Sequence, residues 1–185
     1  MGQARRILAQ RGVSAVVGGG SFHSISGGII RFLDEPVVSV TENCLDCTIR
    51  SLDNMLDLLG RSVNRGGAKY ASLTSHLETG GSALMGDLIE LIEENAAKSG
   101  RAYRRMTFAK AARQNKPFIA VVATDVPDHM HSIVVERVYQ YGGQKVAKVI
   151  DSEHNLKYII GYNDLEVLAK DYERVWGGGA GLVVR

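Results

Sequence analysis

Two cysteines stand close together, Cys44 and Cys47, in a single C-x-x-C. One such pair is no disulfide framework; it offers a reactive thiol, a redox couple or half a metal site. The nucleophile is the thiolate, and a free thiol titrates near pH ~8.5. A helix amino terminus lowers that value, because unpaired N–H groups and the helix dipole favour negative charge. Asn43 is a good N-cap, and Asp46 stands where a capping box wants an acceptor. That cap sets Cys44 in the first turn and Cys47 one turn on, on nearly the same face. A cysteine nucleophile needs a base, and the base needs an orienter. The histidines are His23, His76, His129, His131 and His154. Of these, His131 opens an apolar run to Val138, and Asp151 closes the return run from Lys145. A hairpin symmetric about Tyr141 sets 131 opposite 151, where directly opposed side chains share a face with Cβ atoms ~5 Å apart. Cys, His and Asp in that order are the parts for attack on an acyl or amide carbonyl. The plainer alternatives are two small core cysteines and an ordinary cross-strand ion pair.

These residues need elements to hold them. Ile49, Leu52, Met55, Leu56 and Leu59 recur at helical spacing until Gly60. A second helix is expected from Ser82 to about Lys98. The Gly/Ser-rich stretch 18–28 and the polar span 60–81 read as loop. The runs 29–33 and 37–40 read as short strands. Then the period becomes two: 103–108, 118–123, the hairpin 131–138 and 145–151 around Tyr141-Gly142-Gly143, and 157–160. A short helix is expected over 109–114 and a third helix from a cap at Asn163, with Glu166 in the box position, to Trp176. A last strand covers 182–185. Helices first and an antiparallel sheet second make the chain α+β. Residues 1–185 read as one domain, with 1–40 an N-terminal extension whose elements are hard to assign.

Composition removes other classes. The chain has 185 residues, 45% apolar and 23% charged, with a net charge of +2. Basic residues form small groups and no stripe, so charge gives no reason to invoke nucleic acid or a membrane surface. No apolar run approaches the length of a membrane span. Arg5 and Arg6 are followed by no sustained apolar core, so the start is not that of a signal peptide.

The stretch Asn43-Cys44-Leu45-Asp46-Cys47-Thr48-Ile49 with Leu52-Asp53, followed by His131-Ser132-Ile133-Val134-Val135 and Val149-Ile150-Asp151, resembles the papain-fold toxin domains of bacterial polymorphic toxins and secreted effectors. The resemblance spans roughly residues 40–155. It implies a papain-like cysteine protease fold, with N-terminal helices packed on a C-terminal antiparallel sheet. It implies a cysteine protease acting as a toxin on a target protein, or a glutamine deamidase of the same fold. It further implies a place at the toxic end of a larger secreted protein, action in the target-cell cytoplasm, interbacterial competition and a cognate immunity protein. No cofactor and no metal are expected. There are departures: Met130 precedes His131 where the family often has Gly, and Glu153 stands where a Gln often follows. Val38 and Thr41 occupy the positions of the papain oxyanion Gln.

The cap favours Cys44 as nucleophile, with His131 as base and Asp151 as orienter. Cys47 is the alternative nucleophile, since papain attacks with the second cysteine of its own C-x-x-C. Two rival chemistries remain open. A strand at 37–40 leading into a C-x-x-C helix is the layout of a thiol-disulfide oxidoreductase. Cys44, Cys47, His129 and His131 have the ligand count of a structural zinc site.

Overall fold

The computed structural model describes residues 23–25, 28–39, 47–81, 83–96, 102–123, 130–152 and 155–185. The elements in order are β1 (His23–Ile25), β2 (Gly28–Leu33), α1 (Cys47–Leu58), α2 (Ala68–Glu78), α3 (Met85–Glu94), β3 (Tyr103–Met106), α4 (Phe108–Ala112), β4 (Phe118–Ala123), β5 (Met130–Tyr141), β6 (Gln144–Asp151), β7 (Leu156–Gly161), α5 (Tyr162–Trp176) and β8 (Gly181–Val184). The eight described strands form one sheet in the order β1-β2-β7-β6-β5-β4-β8-β3. Each neighbouring pair is antiparallel. The class is therefore α+β, as its strand and helix periods imply.

β4 and β5 are the centre of the core. Phe118 to Val122 and Ile133 to Val135 are all buried, the unbroken apolar run of a strand covered on both sides. α1 lies against β5, β4 and β6, and α5 against β4, β6 and β7. Leu52, Met55 and Leu56 bury one side of α1, and Leu165, Ala169 and Tyr172 one side of α5. α1 stops where Gly60 takes φ 69°, a left-handed conformation that glycine adopts without a Cβ clash. Arg61 then donates its N–H back to Leu56 O at 2.8 Å.

Several expectations from sequence are corrected. The loop expected over 18–28 contains β1, and β1–β2 extend the sheet past β7, so residues 23–25 and 28–33 belong to the folded body. Residues 37–39 are not strand: both the N–H and the C=O of Ser39 are taken by the Asn54 side chain, at 3.1 and 2.8 Å, in place of a ladder. The polar span 60–81 contains α2. Only Leu73 and Leu77 bury its inner face, too thin a stripe to read as a helix. The second helix ends at Glu94, and its box is Leu84 N–H donating to Asp87 at 2.6 Å; the expected cap Ser82 and residues 97–98 lie outside the described residues. The last helix is capped at Gly161, not Asn163, and Glu166 accepts from the Tyr162 hydroxyl.

α2 owes its start to a neighbour. The Glu94 carboxylate at the end of α3 accepts from Lys69 N–H at 2.7 Å and Tyr70 N–H at 3.0 Å, a cap supplied in trans to the helix. Glu94→Ala is expected to lower unfolding stability by about 1–2 kcal/mol, as loss of a helix cap does. Glu94→Gln keeps an acceptor and should recover part of it. Urea unfolding of the two variants checks this; equal stability of Glu94→Ala and wild type would show that the cap is not used.

Candidate active site

His131 lies near the start of β5 and Asp151 ends β6. Imidazole Nε2 and carboxylate Oδ1 are 2.9 Å apart, with His131 2% and Asp151 0% exposed. The contact was expected, but the register behind it was not. The hairpin closes through Gly142 and Gly143, both at positive φ (54° and 79°), a two-residue turn that makes Tyr141 face Gln144. An unbroken ladder from that turn would set Asp151 opposite Val134, with His131 on the other side of the sheet. A bulge between Val135 and Arg137 shifts the pairing by one residue, so that Val134 faces Ile150. Continuing that register by one step sets Asp151 opposite Ile133, and His131, two residues away, shares its face. The two meet as diagonal neighbours rather than as a directly opposed pair.

Cys47 stands at the amino-terminal end of α1, 7% exposed, against this pair. Burial pushes its thiol up. A hydrogen bond from His131, the charge of that imidazole and hydrogen bonds from Ser132 push it down by more, and the net shift is downward. The thiolate is thus favoured by the residue that would serve as its base. With Nε2 on Asp151, Nδ1 is the imidazole nitrogen left to exchange a proton with sulfur.

Two further contacts hold the thiol to the strand. Ser51, one helical turn after Cys47, donates to Ser132 O at 2.9 Å, and the Ser132 hydroxyl donates to Ser51 Oγ at 3.1 Å. Asn54, the next turn on, holds Ser39 and also donates to Arg50 O at 2.8 Å. Neither serine pair nor clamp was expected from sequence. Small polar residues inside an apolar helical stripe were the only signal, and they read equally well as caps or surface.

A small pocket of about 20 Å³ opens beside Cys47, lined by Ala83, Leu84, Leu88, Val121 and Met130. Leu84 is 54% exposed at its rim. Its lining is mostly apolar, and it has room for little more than one water.

Cys44, the favoured nucleophile on the cap argument, lies outside the described residues, as do Asn43, Asp46, His129 and His154. His76 borders a separate groove with Lys69, Asp87 and Glu90, which Cys47 does not line. Among the described residues no group of three or more His, Cys, Asp or Glu is placed to hold a metal, and no helix is long and apolar enough to cross a membrane. Compared with protein-family models and with curated proteins, the chain matches none, so its chemistry has to be read from the Cys47, His131 and Asp151 geometry itself.

Proposed function

We propose that the chain is a papain-like cysteine hydrolase that cleaves a peptide bond in a target protein, with Cys47 as nucleophile, His131 as base and then acid, and Asp151 as orienter. The observation that carries this reading is the buried cluster of Cys47, His131 and Asp151, in which the imidazole lies 2.9 Å from the carboxylate and helps to pull the thiol's pKa down. The thiolate attacks the amide carbonyl carbon. The tetrahedral oxyanion collapses to a thioester as the C–N bond breaks, and the leaving amine takes its proton from the imidazolium. Water, deprotonated by the imidazole, then attacks the thioester; the thiolate leaves and a carboxylic acid is released. Attack on a glutamine side chain follows the same steps with ammonia as the leaving group. A thiol oxidoreductase is less well supported, since disulfide exchange gives the buried His131–Asp151 pair no task.

By its resemblance the domain would be the toxic C-terminal part of a secreted bacterial effector, working in the target-cell cytoplasm, without cofactor and without need of nucleic acid or membrane. Its partner in the producing cell would be an immunity protein covering the pocket. Expression in the cytoplasm of a susceptible bacterium is expected to stop growth, and Cys47→Ser to abolish the effect. Intact-mass analysis of host proteins then separates the two hydrolases. A protease yields fragments, whereas a deamidase leaves an uncut, marginally heavier chain. Equal harm from wild type and Cys47→Ser would remove the catalytic reading.

A further inference from the structure

We infer that Tyr158 is a positioning residue for His131, acting through the Asp151 carboxylate; the inference rests on the hydrolase reading but concerns a residue outside the triad. Asp151 pairs with Leu156 across β6 and β7, and Val149 pairs with Tyr158. Tyr158 is therefore the diagonal neighbour of Asp151 on the β7 side, as His131 is on the β5 side. The three residues form one row across three adjacent strands, on one side of the sheet. The Tyr158 ring is 5% exposed on the Asp151 side of the sheet, near enough for the carboxylate to raise the phenol's pKa.

The chemistry asks for such a group. A carboxylate with no exposed surface is costly unless donors replace its water. His131 meets the carboxylate from the β5 side. A phenol donating from the β7 side would help fix the carboxylate plane, and the plane sets which imidazole nitrogen carries the proton and where the ring points. Burial first, then the charge of Asp151 and their hydrogen bond, hold the Tyr158 hydroxyl well above its ordinary pKa. It stays a neutral donor across the working range and cannot be titrated away from its task. The ring is held in turn. Phe32 on β2 pairs directly with Tyr158, and the two rings meet edge to face at 6.1 Å and 62°. Among the described residues, the titratable groups around His131 are Cys47 from α1, Asp151 from β6 and, through Asp151, Tyr158 from β7.

Tyr158→Phe removes the hydroxyl and keeps the ring against Phe32. The His131 ring resonances, followed by NMR across pH, read the effect without needing a substrate. With one donor fewer, the carboxylate leans more fully on the imidazolium, so the His131 midpoint is expected to rise by about half to one pH unit. Phe32→Leu, which loosens the ring's support but keeps the hydroxyl, should move it less than Tyr158→Phe does. In the Asp151→Asn background, Tyr158→Phe should have no effect. An unmoved midpoint in Tyr158→Phe, or an equal shift with Asp151 already replaced, overturns the inference. Should Tyr158→Phe fail to fold, fluorotyrosine in the wild-type chain makes a stronger phenol donor, and the midpoint should then fall; no movement overturns the inference equally. A chain that titrates as expected yet cleaves nothing would sink the hydrolase reading and leave the row intact.

Discussion

Cys47→Ser is expected to slow turnover at least ~1000-fold, the equivalent of about 4 kcal/mol of transition-state stabilisation. A serine hydroxyl in the same place is a far poorer nucleophile, because the imidazole that stabilises a thiolate cannot ionise an alcohol. Cys44→Ser is expected to stay within a few-fold of wild type. Both can be measured on any accepted substrate. Alkylation by iodoacetamide, followed by mass on each cysteine, gives the same information with none. The Cys47 thiol is held down by His131 and Ser132. Its alkylation should therefore be lost, as pH falls, at a pH below the ordinary thiol range near ~8.5. His131→Ala removes the hydrogen bond and the positive charge that do most to lower it, and the midpoint should move up. An inactive Cys44→Ser beside an active Cys47→Ser would reverse the assignment and restore the cap argument.

His131→Ala should also weaken the fold, by roughly 3 kcal/mol. Asp151 has no exposed surface, and the imidazole 2.9 Å from its Oδ1 is its charge partner among the described contacts. Removing that partner leaves a buried carboxylate leaning on neutral donors. Replacing both groups should be milder than replacing one. The Asp151→Asn, His131→Ala double variant is thus expected to recover a good part of the loss, seen as an upward step in the urea midpoint. A double variant less stable than His131→Ala alone would mean that packing, not the buried charge, sets the cost. Asp151→Asn by itself should weaken activity less than His131→Ala does, since the thiolate–imidazole contact survives it.

Sequence carried the core elements because their signals are local. β4 is bounded by Pro117 and consists of six apolar residues in a row, and its limits were read to the residue. α1 repeats its apolar residues at helical spacing and ends at a glycine that must adopt positive φ. What escaped was set at long range. α2 is polar, and its amides are capped by Glu94, which is 25 residues from Lys69. Ser39 looks like part of a strand until Asn54, 15 residues on, takes its backbone groups. β1 hides in a Gly/Ser stretch and is fixed by pairing with β2. The site shows the same division. His131 and Asp151 were found by hairpin symmetry, yet the turn is two residues long and the bulge restores the parity that symmetry had assumed. Cys47 was the second choice, because a cap motif argues from local hydrogen bonds and says nothing of which thiol meets the imidazole.

The bulge also divides the hairpin into two mechanical parts. Its register with β4 ends at the pair Val135 and Phe118. Beyond it, β5 pairs with β6 alone, out to a glycine turn flanked by the exposed residues Tyr141 and Gln144. The tip is ten residues from His131, or about 33 Å along an extended strand. A change in residue count at the turn can be taken up where the ladder is already irregular, while β4 and β7 hold the inner half in place. The ribbon is therefore a splice point. A reporter peptide or an immobilisation tag inserted between Gly142 and Gly143 would ride on the molecule far from Cys47, His131 and Asp151, giving a way to capture the protein without touching the proposed triad.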